Sequence, residues 1–176
     1  MSDIVLRDAV DGDLPAIQAI YAHHVLHGLG SFEEEPPSLE EMARRFGELR
    51  GKGMPYLVAA RGARLLGYAY AGVFRPRSAY RYACEDSIYV AHDAVGQGVG
   101  KMMLAELIRR CTALGFRQMV AVIGDSGNQG SIGVHSALGF AHAGNLKSVG
   151  FKFGRWVDSV FMQLPLGSGD SDLPAK

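Results

Sequence analysis

Cysteine is scarce in this chain of 176 residues, with Cys84 and Cys111 as its only two. They are too few and too far apart for a disulfide scaffold or a thiolate metal cage, and both are expected to be reduced, structural residues. Excess charge is also missing. Eighteen Lys and Arg balance eighteen Asp and Glu, a formal net charge of 0 with the six histidines neutral. No global field therefore recruits nucleic acid or an anionic membrane, and neither is an expected partner. Hydrophobic residues make up 48% of the chain, yet charge or glycine interrupts every apolar stretch. None reaches the ~20 residues that a membrane span needs. Met1 to Arg7 lack the basic flank, apolar segment and cleavage site of a secretion signal, which makes a soluble cytoplasmic protein the expectation.

What remains is one substantial core in one domain, over residues 1–166. Gly167 to Lys176 are polar and broken by glycine and Pro174, the composition of a flexible tail. Ile4 to Arg7 reads as a strand. Asp11 or Asp13 can cap a helix whose apolar positions Leu14, Ile17, Ile20, Tyr21 and Val25 recur at helical spacing. Ser38 and Glu41 have the spacing of a capping box for a second helix through Leu49. Tyr56 to Arg61 and Leu65 to Phe74 read as antiparallel strands around a three-residue link, and Tyr82 to Val90 as a third strand. Leu104, Leu107, Ile108, Cys111 and Leu114 then form a helical stripe ahead of a strand at Met119 to Ile123. That strand, helix, strand passage calls for parallel pairing. Asn128 to Leu138 reads as a short helix closed by Gly139, followed by strands near Phe140 to Lys147 and Phe153 to Leu164. The class is α/β, with a mixed sheet flanked by helices.

Between the third strand and the long helix lies Val95-Gly96-Gln97-Gly98-Val99-Gly100-Lys101. Glycines at such a place leave backbone N–H groups open to a phosphate. A P-loop needs glycine where Val95 stands and Ser or Thr where Met102 stands, so its magnesium ligand is missing. A dinucleotide fingerprint needs Gly-x-Gly-x-x-Gly, whereas Gly96, Gly98 and Gly100 are spaced Gly-x-Gly-x-Gly.

This loop, with Tyr89-Val90 before it and a helix after it, resembles the acetyl-coenzyme A pyrophosphate loop of the GCN5-related N-acetyltransferases. A second block, Asn128-Gln-Gly-Ser131, His135 and Leu138-Gly-Phe140, is similar to the same family. The family usually opens the loop with Gln or Arg, so Val95 lacks one side-chain contact. Gly30-Ser-Phe-Glu-Glu-Glu-Pro-Pro37, Phe74-Arg-Pro-Arg-Ser-Ala-Tyr-Arg81 and Glu85-Asp-Ser-Ile-Tyr-Val90 resemble the phosphinothricin/methionine sulfoximine N-acetyltransferase subgroup. The resemblance spans residues 3–164. It implies the GCN5-related acyltransferase fold with a splayed central sheet, acetyl-coenzyme A as donor, a small amino acid analogue as amine acceptor, and a homodimer. It also implies pantetheine pairing along Ile88, Tyr89 and Val90, with an N–H near Ile88 or Tyr89 facing the thioester oxygen.

Amide formation from a thioester needs a neutral amine, a stabilised oxyanion and a protonated leaving thiolate, and no metal. The N–H groups from Gln97 to Lys101 can cradle pyrophosphate, with the Lys101 ammonium either supplementary or simply solvated. Glu85 is the first candidate for the amine base and Asp86, on the other side of a regular strand, the reserve. Asn128 either bonds the coenzyme A arm or caps its helix, and Ser131 either contacts the cofactor or bonds locally. His135, where many family members have a tyrosine, either protonates the thiolate or packs as a hydrogen-bonded histidine. Arg75 and Arg77 fall on one side if their segment is extended, as Pro76 favours, and can clamp the acceptor's acidic group. Phe74, Tyr80, Arg81 and Tyr82 extend that site, Phe32 can wall its methyl-bearing end, and Lys147 can add an anion contact. His23, His24 and His27 have no nearby carboxylate to complete a zinc set, so no metal is expected. Competing functions are acetylation of protein or peptide N-termini and a non-catalytic acetyl-coenzyme A sensing module.

Overall fold

The computed structural model describes residues 3–174. Met1 and Ser2 of the N-terminal segment, and Ala175 and Lys176 of the expected tail, lie outside the described residues. Seven strands form one sheet: β1 (Val5–Asp8), β2 (Tyr56–Arg61), β3 (Arg64–Val73), β4 (Ala83–Val90), β5 (Gln118–Gly124), β6 (Ala141–Lys152) and β7 (Arg155–Pro165). Their order is β1-β2-β3-β4-β5-β7-β6, and the β4–β5 contact is parallel while the other neighbours are antiparallel. The parallel pair exists because α3 (Val99–Ala113) carries the chain back across one face between those strands.

Strand alternation gives each face its own core. Leu57, Ala59, Ala69, Ala71 and Cys84 turn toward α3, where Met103, Leu104, Leu107 and Cys111 are fully buried. Tyr56, Val58 and Tyr68 turn the other way, against α1 (Leu14–His27) and α2 (Leu39–Gly51). Each large side chain so buried contributes about 1.5–3 kcal/mol. The mixed sheet with helices on both faces is the architecture expected.

Four local expectations are corrected. Arg61 pairs with Arg64, so the β2–β3 link is the two residues Gly62 and Ala63, made possible by φ +60° at Gly62. Neither aspartate caps α1 through its side chain; Asp13 instead accepts two bonds from Arg7 at 2.7 Å and one from the Val10 N–H at 2.9 Å. Only half of the capping box forms: Ser38 accepts from the Glu41 N–H, while the Glu41 carboxylate turns to Arg44 and Arg45. β6 runs on to Lys152, past register shifts at His142/Gly144 and Leu146/Gly150 that interrupt its alternation. After β7, Leu166 is buried and the chain makes turns along Arg117, which reaches the Gly169 carbonyl at 3.3 Å and Asp172 at 2.6 Å.

Candidate active site

β4 and β5 pair only from Ala83↔Gln118 to Asp86↔Ala121. Beyond that point they separate, with β4 continuing to Val90 and β5 to Gly124. Backbone direction along β4 follows from its antiparallel neighbour. The Ala91 N–H bonds the Leu66 carbonyl and the Ala83 carbonyl accepts from Phe74, so odd-numbered residues of β4 face β3. The backbone groups of Ile88 and Val90 consequently point into the gap, whereas the Tyr89 N–H points to β3. His24 Nε2 donates to the Val90 carbonyl at 2.8 Å.

The gap widens into a cavity of about 780 Å³. Its open end is the glycine loop and its closed end is the Asp86/Ala121 pair. Gly96 and Gly98 have φ +81° and +78°, a left-handed conformation that a side chain would strain. Gly98 is the N-cap of α3, and the first helical bond is from Met102 to the Gly98 carbonyl. The N–H groups of Val99, Gly100 and Lys101 are thus left without helical partners, at the positive end of the helix dipole. Val95, Gly96, Gly98, Val99, Gly100 and Lys101 all line the cavity. Gln97 does not; its side chain bonds Arg61 at 3.1 Å and the Asp93 carbonyl at 3.4 Å. A pocket that offers bare N–H groups at one end and strand backbone left unpaired by β5 along its length fits a phosphorylated, amide-bearing arm.

α4 (Gln129–Ser136) forms the wall next to β5. Asn128 caps it, accepting from the Ser131 N–H at 3.1 Å, while both residues also line the cavity. His135 is buried at 4% exposure. Its Nδ1 donates to the Ser131 carbonyl at 2.7 Å, and its Nε2 meets Asp86 Oδ2 at 3.0 Å. Burial by itself would lower the imidazole pKa, but the hydrogen bond and charge of Asp86, with the Ser131 carbonyl, raise it above the ordinary value. Both ring nitrogens are engaged, so the imidazole has no free N–H to offer the cavity.

Glu85 lies on the opposite face from Asp86, alongside Ser87 and Tyr89 and across from Gly72, while Tyr70 stands across from Ser87. Burial raises its pKa; the Arg75 charge opposes that and the neighbouring Asp86 charge adds to it. Arg75 stacks on Phe74, 4.7 Å from the ring centroid, and Tyr80 meets the same ring edge-on. The segment bends at Phe74, Pro76 and Arg77 and closes in a single 3₁₀ turn at Ser78–Tyr80. Strand alternation therefore does not set where Arg75 and Arg77 point. Arg77 is exposed, and Arg81 lies 4.7 Å over Tyr82 and donates to the Ser78 carbonyl.

Phe32 is half-exposed, its ring lodged beside Gly124 and Gly150. Lys147 is outside this group, on β6, paired with Asp158 at 2.9 Å. His23 stacks with His92 and lies against His27, but no group of three or more His, Cys, Asp or Glu is arranged to hold a metal among the described residues.

Three features were not read from the sequence: the Asp86–His135 pair, the His24 bond to Val90, and the 28–31 loop. Gly28, Leu29 and Gly30 wall the cavity, and the buried Lys152 ammonium holds that loop through the Gly28 and Ser31 carbonyls at 3.0 and 2.7 Å. A lysine in a strand otherwise patterned for solvent was the available signal for the last of these.

Comparison with known proteins places these features in context. The sequence model described as an acetyltransferase (GNAT) domain matches residues 6–161. A phosphinothricin N-acetyltransferase of Alcaligenes faecalis is 60% identical over 169 residues, 96% of this chain and 86% of the relative. An L-methionine sulfoximine/L-methionine sulfone acetyltransferase of Pseudomonas aeruginosa is 44% identical, covering 92% of this chain and 94% of the relative. The crystal structure of a GNAT superfamily phosphinothricin acetyltransferase from Sinorhizobium meliloti, in complex with AcCoA, superposes with a TM-score of 0.96 at 51% identity, covering 100% of this chain and 95% of that one.

Proposed function

The chain belongs to the GNAT acetyltransferase family, and we propose that this acetyl-coenzyme A-dependent N-acetyltransferase acts on the α-amine of small amino acid analogues. Methionine sulfoximine, methionine sulfone and phosphinothricin are the acceptors supported by its relatives, with direct transfer in a ternary complex. The observation that carries this reading is the single cavity running from the glycine loop to the closed end of the splay.

In this reading the N–H groups of Val99 to Lys101 hold the pyrophosphate. The backbone of Ile88 and Val90 pairs with the pantetheine arm, beside Asn128 and Ser131. The Ile88 N–H, directed into the gap, stabilises the developing oxyanion; Tyr89 serves through its ring and not its N–H. Glu85, on the other face, takes the proton of the attacking amine directly or through one water. Arg75 and Arg77, with Phe74, Tyr80 and Arg81, hold the acidic end of the acceptor, and Phe32 walls it. Lys147 is left to Asp158 until an acceptor or a partner chain displaces that bond.

The test is acetyl-coenzyme A-dependent thiol release with the three analogues, ordinary amino acids, polyamines and peptides, product mass confirming acetylation. Preferential turnover of the analogues is expected. Turnover of peptides alone points to N-terminal acetylation, and binding without turnover points to a sensor; either overturns the reading.

The same proposal includes a cytoplasmic homodimer. Buried free thiols at Cys84 and Cys111 suit a reducing compartment. On the outermost hairpin, Leu146, Val149, Phe151, Phe153 and Trp156 are each at least half exposed, and Phe151 and Trp156 lie 5.2 Å apart edge-to-face. Such an apolar cluster on an edge strand invites a second copy. Light scattering is expected to give twice the 18.9 kDa chain mass, and Trp156→Asp to give the monomer. A wild-type monomer at assay concentration would refute the dimer.

A further inference from the structure

Asp86 is the one charged side chain at the closed end of the splay, 6% exposed, with Oδ2 on His135 and Oδ1 buried without a partner. Among the described residues, the only other buried side-chain oxygen or nitrogen left so is Asn145 Oδ1, which does not line the cavity. A carboxylate oxygen stripped of water and left unpaired is costly unless a ligand completes it. The side chain lies on the α3 and α4 face, the face of the glycine loop, so the arm of acetyl-coenzyme A is the ligand within its reach, at the end remote from the phosphates. His135 adds the second half of the argument. Because the Ser131 carbonyl can only accept, Nδ1 carries a proton, and the Nε2···Oδ2 contact holds one more, shared with Asp86.

We propose that Asp86, and not the imidazole, is the group that meets the leaving sulfur, with His135 as its positioning residue and proton store. The inference rests on the acetyl-coenzyme A reading above. As the C–S bond breaks, its electron pair stays on sulfur. The proton shared by Nε2 and Oδ2 passes fully to Oδ2, and a turn of the carboxyl about Cβ–Cγ brings that O–H to sulfur, forming S–H. The pair is left as a carboxylate and a neutral imidazole still donating from Nδ1 to Ser131. The amine proton taken up by Glu85 returns to the pair through solvent, so protons balance over a turnover. Besides His135, the titratable groups that feel the Asp86 charge are Glu85 beside it on β4 and Cys84, whose free thiol is hydrogen-bonded with Cys111 on α3.

The experiment follows the thiol of bound coenzyme A by the ultraviolet absorbance of its thiolate across pH, in wild type, Asp86→Asn and His135→Gln. Alongside are the coenzyme A dissociation constant by calorimetry and the pH profile of kcat. In wild type the bound thiol is expected to keep its proton to higher pH than free coenzyme A, and kcat to fall at high pH as the pair loses its proton. Asp86→Asn should abolish that retention and lower kcat about 10²-fold, while coenzyme A affinity stays within about threefold. His135→Gln, which keeps an amide N–H for Asp86, should remove the high-pH fall while binding persists. An Asp86→Asn profile that keeps the wild-type shape, or a kcat loss matched by loss of binding, overturns the proposal alone. Failure of the wild-type protein to bind coenzyme A overturns it together with the family mechanism.

Discussion

Glu85→Gln is expected to lower kcat by about 10²–10³ near neutral pH, with the dissociation constant of acetyl-coenzyme A changed by less than about threefold. The split follows from geometry. Glu85 projects from the face of β4 away from the glycine loop, and it does not line the cofactor cavity. Its removal should therefore touch the amine and not the donor. A base that accepts the amine proton must be ionised, so turnover rises as pH climbs through its pKa. Burial, with the Asp86 charge, has moved that pKa above the ordinary glutamate value, against the pull of Arg75. The acid limb of kcat/KM should accordingly lie above the ordinary carboxylate range. Arg75→Ala removes the opposing charge, so the Glu85 pKa rises further and the limb moves to higher pH, together with a weaker KM for the acidic acceptor. A Gln variant that keeps more than about a third of wild-type turnover, or an Ala variant that shifts the limb to lower pH, would rule out Glu85 as the base.

The residues whose chemistry depends on local backbone were legible in the sequence. Gly96 and Gly98 mark a left-handed loop that few other residues tolerate, and the following apolar stripe fixes where α3 starts. Alternation along Glu85-Asp-Ser-Ile-Tyr-Val90 separates Glu85 from Asp86 without further information. Contacts made by distant segments left no such mark. Asp86 and His135 are 49 residues apart, and whether that histidine packs, donates or pairs depends on how closely α4 approaches β4. Which strand N–H enters the gap required the register with β3, since a shift of one residue exchanges Ile88 for Tyr89. The length of β6 was hidden by its two register shifts, which move the apolar residues out of step beyond Lys147 and leave Lys152 outside the strand read from the sequence. In the fold, Lys152 is inside and ties the 28–31 loop to the hairpin.

That tie makes Gly124 the most sensitive small residue of the site. A Cβ at Gly124 would stand 2.0 Å from the Leu29 carbonyl oxygen and 3.0 Å from Phe32 Cε1. The first neighbour is backbone, and it cannot move freely. Gly28 and Ser31 on either side are held by Lys152, Ser31 also bonds Tyr21 at 2.9 Å, and Glu33 is fixed by Arg45 at 2.6 Å. Gly124→Ala should therefore break part of this latch, at a cost of about 1–3 kcal/mol for overpacking. At about 2–4 °C per kcal/mol for a chain of this size, the melting temperature should fall by roughly 2–12 °C. Since Leu29 and Gly124 both line the cavity, the KM for acetyl-coenzyme A should rise on the order of tenfold, about 1.4 kcal/mol. Gly150→Ala provides the contrast. The three atoms nearest its added Cβ all belong to the Phe32 ring, the closest at 2.5 Å, and a half-exposed side chain can swing toward solvent. Gly150→Ala should thus be milder, and Phe32→Leu should rescue it while leaving Gly124→Ala unimproved, because no side-chain truncation removes a carbonyl. A Gly124→Ala protein that melts with wild type and keeps its KM would mean that the 28–31 loop yields despite Lys152.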